Sequence, residues 1–303
     1  MRTGTAEIPV HHGEILQGIF TVDGRPKKGL VTLPFDACTV RARFTALDSQ
    51  EISVSPGWRR KAKRAAELTI ATLREHGIEA WGGRLEVVSE VPVGKGFGSS
   101  TGDVLASIVA VADAFGVEMP AAVAGRIAVA AETASDSLMF QGRSVLFAHR
   151  DGELIEDFGA DLPRSRVVGF FARCGRGMID TLALAPIRYS AREIEVFDEL
   201  RLDLRRSIAT NNAALLGKVA TASAEINQRY LPIPDFDRIR AIADTADATG
   251  VQISHSGTIA GLLFDPAERE VVHRIEISRN MLEDAGFREQ WEFGAGRLER
   301  DVR

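Results

Sequence analysis

From Thr101 to Phe115 the chain is apolar on nearly every face of a helix. Val104, Ile108, Val111 and Phe115 line one side, and Leu105, Val109 and Ala112 make the rest largely apolar too. A helix of that kind has to be buried. A strand, Arg84–Val91, runs up to it and is ended by Pro92. Between the two lies Pro92-Val93-Gly94-Lys95-Gly96-Phe97-Gly98-Ser99-Ser100-Thr101. Glycines let backbone approach a ligand closely, and successive N–H groups at a helix start form an anion site. The hydroxyls of Ser99, Ser100 and Thr101 can donate to phosphate or ligate a divalent cation. The order G-x-x-x-x-G-K-[ST] is absent, and Gly94, Gly96 and Gly98 lack the third glycine of a dinucleotide fingerprint. A plain turn with a serine cap is the bland alternative. The density of glycine and hydroxyl favours a phosphate loop made of Pro92, Gly94, Lys95, Gly96, Gly98, Ser99, Ser100 and Thr101.

Burying such a helix takes a sizeable chain, and 303 residues suffice for two domains or one large α/β unit. Hydrophobic residues at 45% and charged residues at 26% exclude a disordered regulator, a coiled coil and a collagen-like chain. With 37 basic against 42 acidic residues, no global positive field recruits nucleic acid or anionic lipid. Cys38 and Cys174 cannot staple a chain this long, which fits a reducing cytoplasm and two buried thiols. The opening MRTGTAEIPVHHGE has no apolar run suited to a signal peptide, and no stretch has the apolar length of a membrane span.

Periodicity predicts strands through the first 55 residues and a helix at Trp58–His76, stopped by Gly77. A helix follows Pro120 up to Glu132, and strands at Ser144–His149 and Glu153–Phe158 flank a hairpin at Arg150-Asp151-Gly152. A second half opens with the strand Arg166–Ala172. It continues with helices at Ala191–Thr210, Asn211–Asn227 and Asp235–Thr249, a strand at Gly261–Asp265, a helix at Ala267–Ala285 and a strand near Gln290–Phe293. The boundary is placed near residue 160, giving domains 1–160 and 161–303.

The run Pro92–Ser100 resembles the second motif of the galactokinase, homoserine kinase, mevalonate kinase and phosphomevalonate kinase (GHMP) superfamily. Gly13-Glu14-Ile15-Leu16-Gln17-Gly18 resembles its first motif, and Ser254-His255-Ser256-Gly257-Thr258 with Gly261–Asp265 resembles its third. The three span most of the chain in the right order. Within the superfamily Gly13–Gly18, His255–Gly257 and Glu132-Thr133-Ala134-Ser135-Asp136-Ser137 with Phe140-Gln141 look most like the L-threonine kinase branch of cobalamin side-chain synthesis. Two departures stand out. His11-His12 occupy the places of a small residue and a cysteine, and the third motif has one glycine where most members have several.

The resemblance implies an α+β fold of two domains: a ribosomal-protein-like N-terminal ATP-binding half and a ferredoxin-like C-terminal half, with ATP in the cleft between them. It implies an ATP- and magnesium-dependent enzyme phosphorylating the side-chain hydroxyl of a small amino acid, L-threonine first. A kinase for homoserine, another amino-alcohol or a specialised-metabolite precursor is the rival within the class, and a sensor that lost turnover is the rival outside it. A nucleic-acid module is disfavoured by the acidic balance.

Phosphoryl transfer needs held phosphates, a divalent cation and a group that orients the acceptor hydroxyl. By resemblance Asp136 faces the acceptor as the catalytic carboxylate. Glu132, four residues earlier at a helix end, forms with Ser100 the natural Mg2+ site, since hard cations take carboxylate and hydroxyl oxygens. Lys95 can neutralise phosphate. Glu14, Gln17, His255, Ser256, Gly257 and Thr258 are the substrate-binding candidates. His11 and His12 are adjacent, so on a strand they face opposite ways and cannot easily share one metal. The run Arg59–Arg64 (RRKAKR) reads as a solvated helix face.

Overall fold

The computed structural model describes residues 2–91, 96–172 and 187–296, so Pro92, Gly94, Lys95 and Cys174 lie outside the described residues. Helices alternate with mainly antiparallel strands, an α+β arrangement. Two long strands come first, β1 (Thr3–Val22) and β2 (Arg25–Ala46). Asp23 and Gly24 join them with φ of 48° and 74°, the backbone that a two-residue hairpin turn requires. Then follow β3 (Ile52–Ser55), α1 (Arg60–Glu75), β4 (Gly83–Ser89), α2 (Ser99–Ala114) and α3 (Ala121–Glu132). The hairpin of β5 (Val145–Ala148) and β6 (Glu153–Asp157) turns at residues 150–152 as expected. The remainder is β7 (Ser165–Phe171), α4 (Ala191–Thr210), α5 (Ala213–Asn227), α6 (Phe236–Thr245), β8 (Gly250–Ile253), β9 (Ile259–Phe264), α7 (Val271–Asp284) and β10 (Gln290–Ala295).

The chain packs as two units that interleave along the sequence. The first holds Met1–His11, Asp36–Gln141 and Phe147–Leu154, and the second holds His12–Phe35, Gly142–Leu146 and Ile155–Arg303. In the first, β2 pairs antiparallel with β4 from Val40↔Ser89 to Ala46↔Gly83, and β3 lies parallel to β4. Helices α1, α2 and α3 pack on one another. Their central member, α2, buries side chains all round, from Thr101, Val104 and Leu105 to Ile108, Val111 and Ala112. The all-round apolar pattern thus finds the cover it needs. By contrast α1 buries one stripe, Ala62, Ala65, Ala66, Thr69, Ile70 and Leu73, at the i, i+3, i+4 spacing of an amphipathic helix.

The second unit orders its strands β10-β7-β9-β8, then β1, with every pairing among them antiparallel. Phe170, Val251, Leu262 and Phe264 meet Ile239, Ile242, Ile275 and Leu282 in one apolar core. Each such side chain contributes about 1.5–3 kcal/mol on leaving water. Helix α5 lies directly on β8, because a Cβ on Gly217 would stand 2.2 Å from the Thr249 carbonyl oxygen. On the other side, a Cβ on Gly250 would stand 2.1 Å from that of Gly217.

Some boundaries differ from the periodicity reading. Helix α6 stops at Thr245, because Asp247 takes φ 52° and turns the chain into β8. That four-residue strand, buried throughout, offers no alternation and reads as loop. Helix α2 starts two residues earlier, at Ser99, and α7 later, at Val271. No helix among the described residues is long and apolar enough to cross a membrane.

Candidate active site

Of the expected loop, the described part runs from Gly96 into the start of α2. Gly98 is its N-cap, with φ 62° and ψ 28°, and no side chain caps the helix. The first bond of the helix runs from Gly102 N–H to Gly98 O at 3.1 Å. The N–H groups of Ser99, Ser100 and Thr101 come before it and have no helical carbonyl to reach. His11 on β1 holds the loop from the side: its N–H donates to Phe97 O at 3.2 Å. A Cβ on Gly98 would stand 1.9 Å from Cδ2 and Nε2 of the His11 ring. Gly98 is therefore required twice, by its left-handed backbone and by the imidazole above it.

Two carboxylates close on this helix start. Glu132 ends α3 and is 4% exposed. Ser100 Oγ donates to its Oε2 at 2.8 Å, and Thr101 Oγ1 lies 2.9 Å from its Oε1. Burial pushes the Glu132 carboxyl up to about 7, against the pull of the Ser100 hydroxyl and the Lys61 ammonium. Thr133 takes φ 76° directly after it, which ends the helix and leads the chain to Asp136. There Oδ2 lies 3.2 Å from Thr101 Oγ1 and 2.8 Å from His11 Nε2. Thr101 has one hydroxyl proton for two carboxylates, so a proton on Glu132 completes the row Glu132–Thr101–Asp136–His11.

The basic run at the start of α1 is the solvated face expected of it except at Arg59. Arg59 is buried and forms an ion pair with Asp103 of α2, itself buried. Burial pushes the Asp103 carboxyl up, and the Arg59 guanidinium opposes that shift. Two residues on, Lys61 Nζ donates to Ser100 Oγ at 3.2 Å and lies 3.9 Å from Glu132 Oε2. Arginines in the same run at positions 60 and 64 conform to the solvated reading, being exposed. Arg59 differs from them because it lies on the side of the buried residues Ala62 and Ala66, at successive steps of three and four residues.

The remaining candidates lie in the second unit. Gln17 Oε1 accepts from His255 Nδ1 at 2.8 Å, and the Gln17 backbone is fixed by Ser223 Oγ at 3.0 Å and Asn227 Nδ2 at 2.9 Å. Ser256 and Thr258 occupy the turn between β8 and β9, where Ser256 Oγ donates to Thr258 Oγ1 at 2.9 Å and Gly257 takes φ 66°. Glu14 is buried and pairs in register with Ile253. His12 faces away from His11, as strand alternation demands. Its Nδ1 lies 2.8 Å from Gln252 Oε1, and Phe35, Trp291 and Phe293 surround its ring. Cys38 is a free thiol, half-buried rather than fully buried as its residue type suggested.

The first unit thus joins Ser100, Thr101, Glu132 and Asp136, and the second joins Gln17 with His255. His11, Lys61 and Arg59 are the site neighbours that sequence reading missed. A helix start rich in hydroxyls, beside a carboxylate held out of water, is equipped for phosphate and a hard cation.

L-threonine kinase of Citrobacter freundii is 28% identical over 206 residues, covering 62% of this chain and 64% of the relative. That of Salmonella typhimurium is 25% identical over 197 residues, covering 62% of each. The chain therefore matches less than two thirds of these relatives' length. A crystal structure of homoserine kinase from Cytophaga hutchinsonii shares the fold, with TM-score 0.70 at 16% identity over 97% of this chain and 95% of the other. Residues 60–140 match the family model for the GHMP kinases N terminal domain, and residues 204–276 match the GHMP kinases C terminal model. On these two matches, the first of which contains Ser100, Glu132 and Asp136, the chain belongs to the GHMP kinase family.

Proposed function

We propose that the protein is an ATP-dependent kinase that phosphorylates the side-chain hydroxyl of a small amino acid, with L-threonine as acceptor. One observation carries the reading: Ser100 and Thr101, at an uncapped helix start, both reach Glu132 while Asp136 stands beside Thr101. The two threonine kinases among the relatives favour threonine over homoserine. In this reading residues 1–160 form the ATP-binding part and 161–303 the C-terminal part. The free thiol of Cys38 fits a reducing compartment, the cytoplasm.

Gly96, Gly98, Ser99, Ser100 and Thr101 would cradle the phosphates through backbone N–H groups and hydroxyls, together with Pro92, Gly94 and Lys95 outside the described residues. A magnesium ion fits Ser100 and Glu132, since a carboxylate that burial pushes up to about 7 gains from a cation replacing its proton. When bound, such an ion draws charge from the phosphate oxygens. Glu14, Gln17, His255, Ser256, Gly257 and Thr258 are assigned to the amino acid. In the transfer the acceptor oxygen bonds to the γ-phosphorus as the bond to the ADP oxygen breaks, and the hydroxyl proton passes to Asp136. An aspartate is a weak base, so it takes that proton late, when the oxygen is already bonding to phosphorus. His11 Nε2 and Thr101 Oγ1 hold the carboxylate through Oδ2 and so aim it.

The test is Asp136→Asn, which keeps shape and removes the proton acceptor. Threonine-dependent ADP release should fall by about 10²–10⁴-fold with ATP affinity unchanged. Near-full turnover would remove Asp136 from the mechanism. Wild-type ADP release that no hydroxy amino acid increases would overturn the kinase reading itself.

A further inference from the structure

Lys61 stands where a surface lysine has no structural need to be. It occupies the second position of α1, in a first turn without any acidic residue, and a cation there opposes the positive end of the helix dipole. Its backbone is held in place by the neighbouring Arg59, whose guanidinium is buried against Asp103 of α2. One helical turn of α2 separates Asp103 from Ser100, and Lys61 spans to Ser100 as Arg59 spans to Asp103. The ammonium donates to Ser100 Oγ at 3.2 Å and lies 3.9 Å from Glu132 Oε2. The side chain of Glu132 is 2% exposed and that of Lys61 is 51% exposed. The lysine therefore covers the solvent side of the two groups assigned to the cation.

We propose that Lys61 has two successive partners, first the Ser100–Glu132 pair and then the phosphates of the bound nucleotide. The inference rests on the kinase reading of the site. Without a divalent ion, the ammonium donates to Ser100 Oγ and covers Glu132. A divalent ion on Ser100 and Glu132 repels the ammonium and takes its hydrogen-bond acceptor. The four-carbon stem is flexible and half in water, so the head swings outward at small cost. The anionic groups that accompany such an ion are phosphate oxygens, and a lysine is a point-charge donor suited to them. A lysine that served only to prop Ser100 would instead favour cation binding by holding the pair in place.

Isothermal calorimetry separates these roles with Lys61→Met, which keeps the apolar stem and removes the charge. Manganese ion alone should bind the variant more tightly than wild type, because no ammonium competes for Ser100 and Glu132. ATP with magnesium should bind more weakly, on the order of 10–100-fold, the usual worth of a charge-assisted hydrogen bond. Lys61→Arg should restore most of the nucleotide affinity. Opposite changes in the two titrations support the exchange. Unchanged nucleotide affinity, or a loss in both titrations, overturns it. A wild-type protein that binds manganese but no ATP would overturn the kinase reading, and the proposal with it, whereas ATP bound equally by wild type and variant overturns Lys61 alone.

Discussion

At Gly98 a left-handed backbone and the His11 ring meet on one carbon. Alanine there bears the strain of a positive φ, about 1–3 kcal/mol, and must also push the imidazole from above the loop. Gly98→Ala should therefore lower stability by about that amount and weaken ATP binding sharply, as read by urea denaturation and calorimetry. Normal ATP affinity would show that the loop does not approach phosphate. Glu132 gives a pH prediction with a definite sign. Its carboxyl moves from an ordinary 4.5 to about 7 in the fold, so the folded state binds the proton more tightly than the unfolded chain. Between those values stability falls as pH rises, by about 1.4 kcal/mol per unit at most, and levels off above. The proton also competes with a cation, so cation affinity should drop roughly tenfold per unit below that pH and stay flat above it. Glu132→Gln should remove both dependences, and a variant that keeps them would assign the titration elsewhere. Ser100 and Glu132 were picked out by hydroxyl, glycine and carboxylate type and Asp136 through the resemblance, and the structure brings the three together. His11 and Lys61 were not picked out, since their role lies in which neighbours they touch.

Between elements, the Arg59–Asp103 pair fixes α1 to α2 and with it the reach of Lys61 to Ser100. Both members are buried, so losing one partner strands a charge in the interior. Asp103→Leu should cost about 3–5 kcal/mol in urea denaturation, and Arg59→Met added to it should recover most of that loss. An additive double variant would mean the pair carries no coupling. A run of six residues with five charges reads from sequence as a wet face, because composition outweighs position in such a stretch. Position decides here: Arg59 precedes the buried stripe that starts at Ala62 and shares its side of α1. Long elements were read correctly for the opposite reason. In α2 and α4 the pattern persists over four or more turns, and the Ser190–Glu193 capping box marks the start of α4. The short strand β8 carries no such signal.

Across the whole molecule, the two packing units exchange segments, residues 12–35 and 142–146 falling with the second. Composition has no means of showing this, because β1 and β2 are single strands that each supply both units. The order of the three motifs along 13 to 265 was the stronger guide, and it located the family and the α+β fold together. What remains for the molecule as a whole is its acceptor. A site built to hold a reacting hydroxyl rejects analogues without one, since its polar groups would be left unpaired, while one methyl group is worth only about 1–3 kcal/mol. The most direct measurement is phosphorus NMR of ATP and magnesium incubated with single amino acids. The account predicts a phosphomonoester and an equal amount of ADP with L-threonine, less with L-serine, and none with L-valine or 2-aminobutyrate. No product from L-threonine, with a phosphomonoester from homoserine or a sugar, would contradict the threonine assignment.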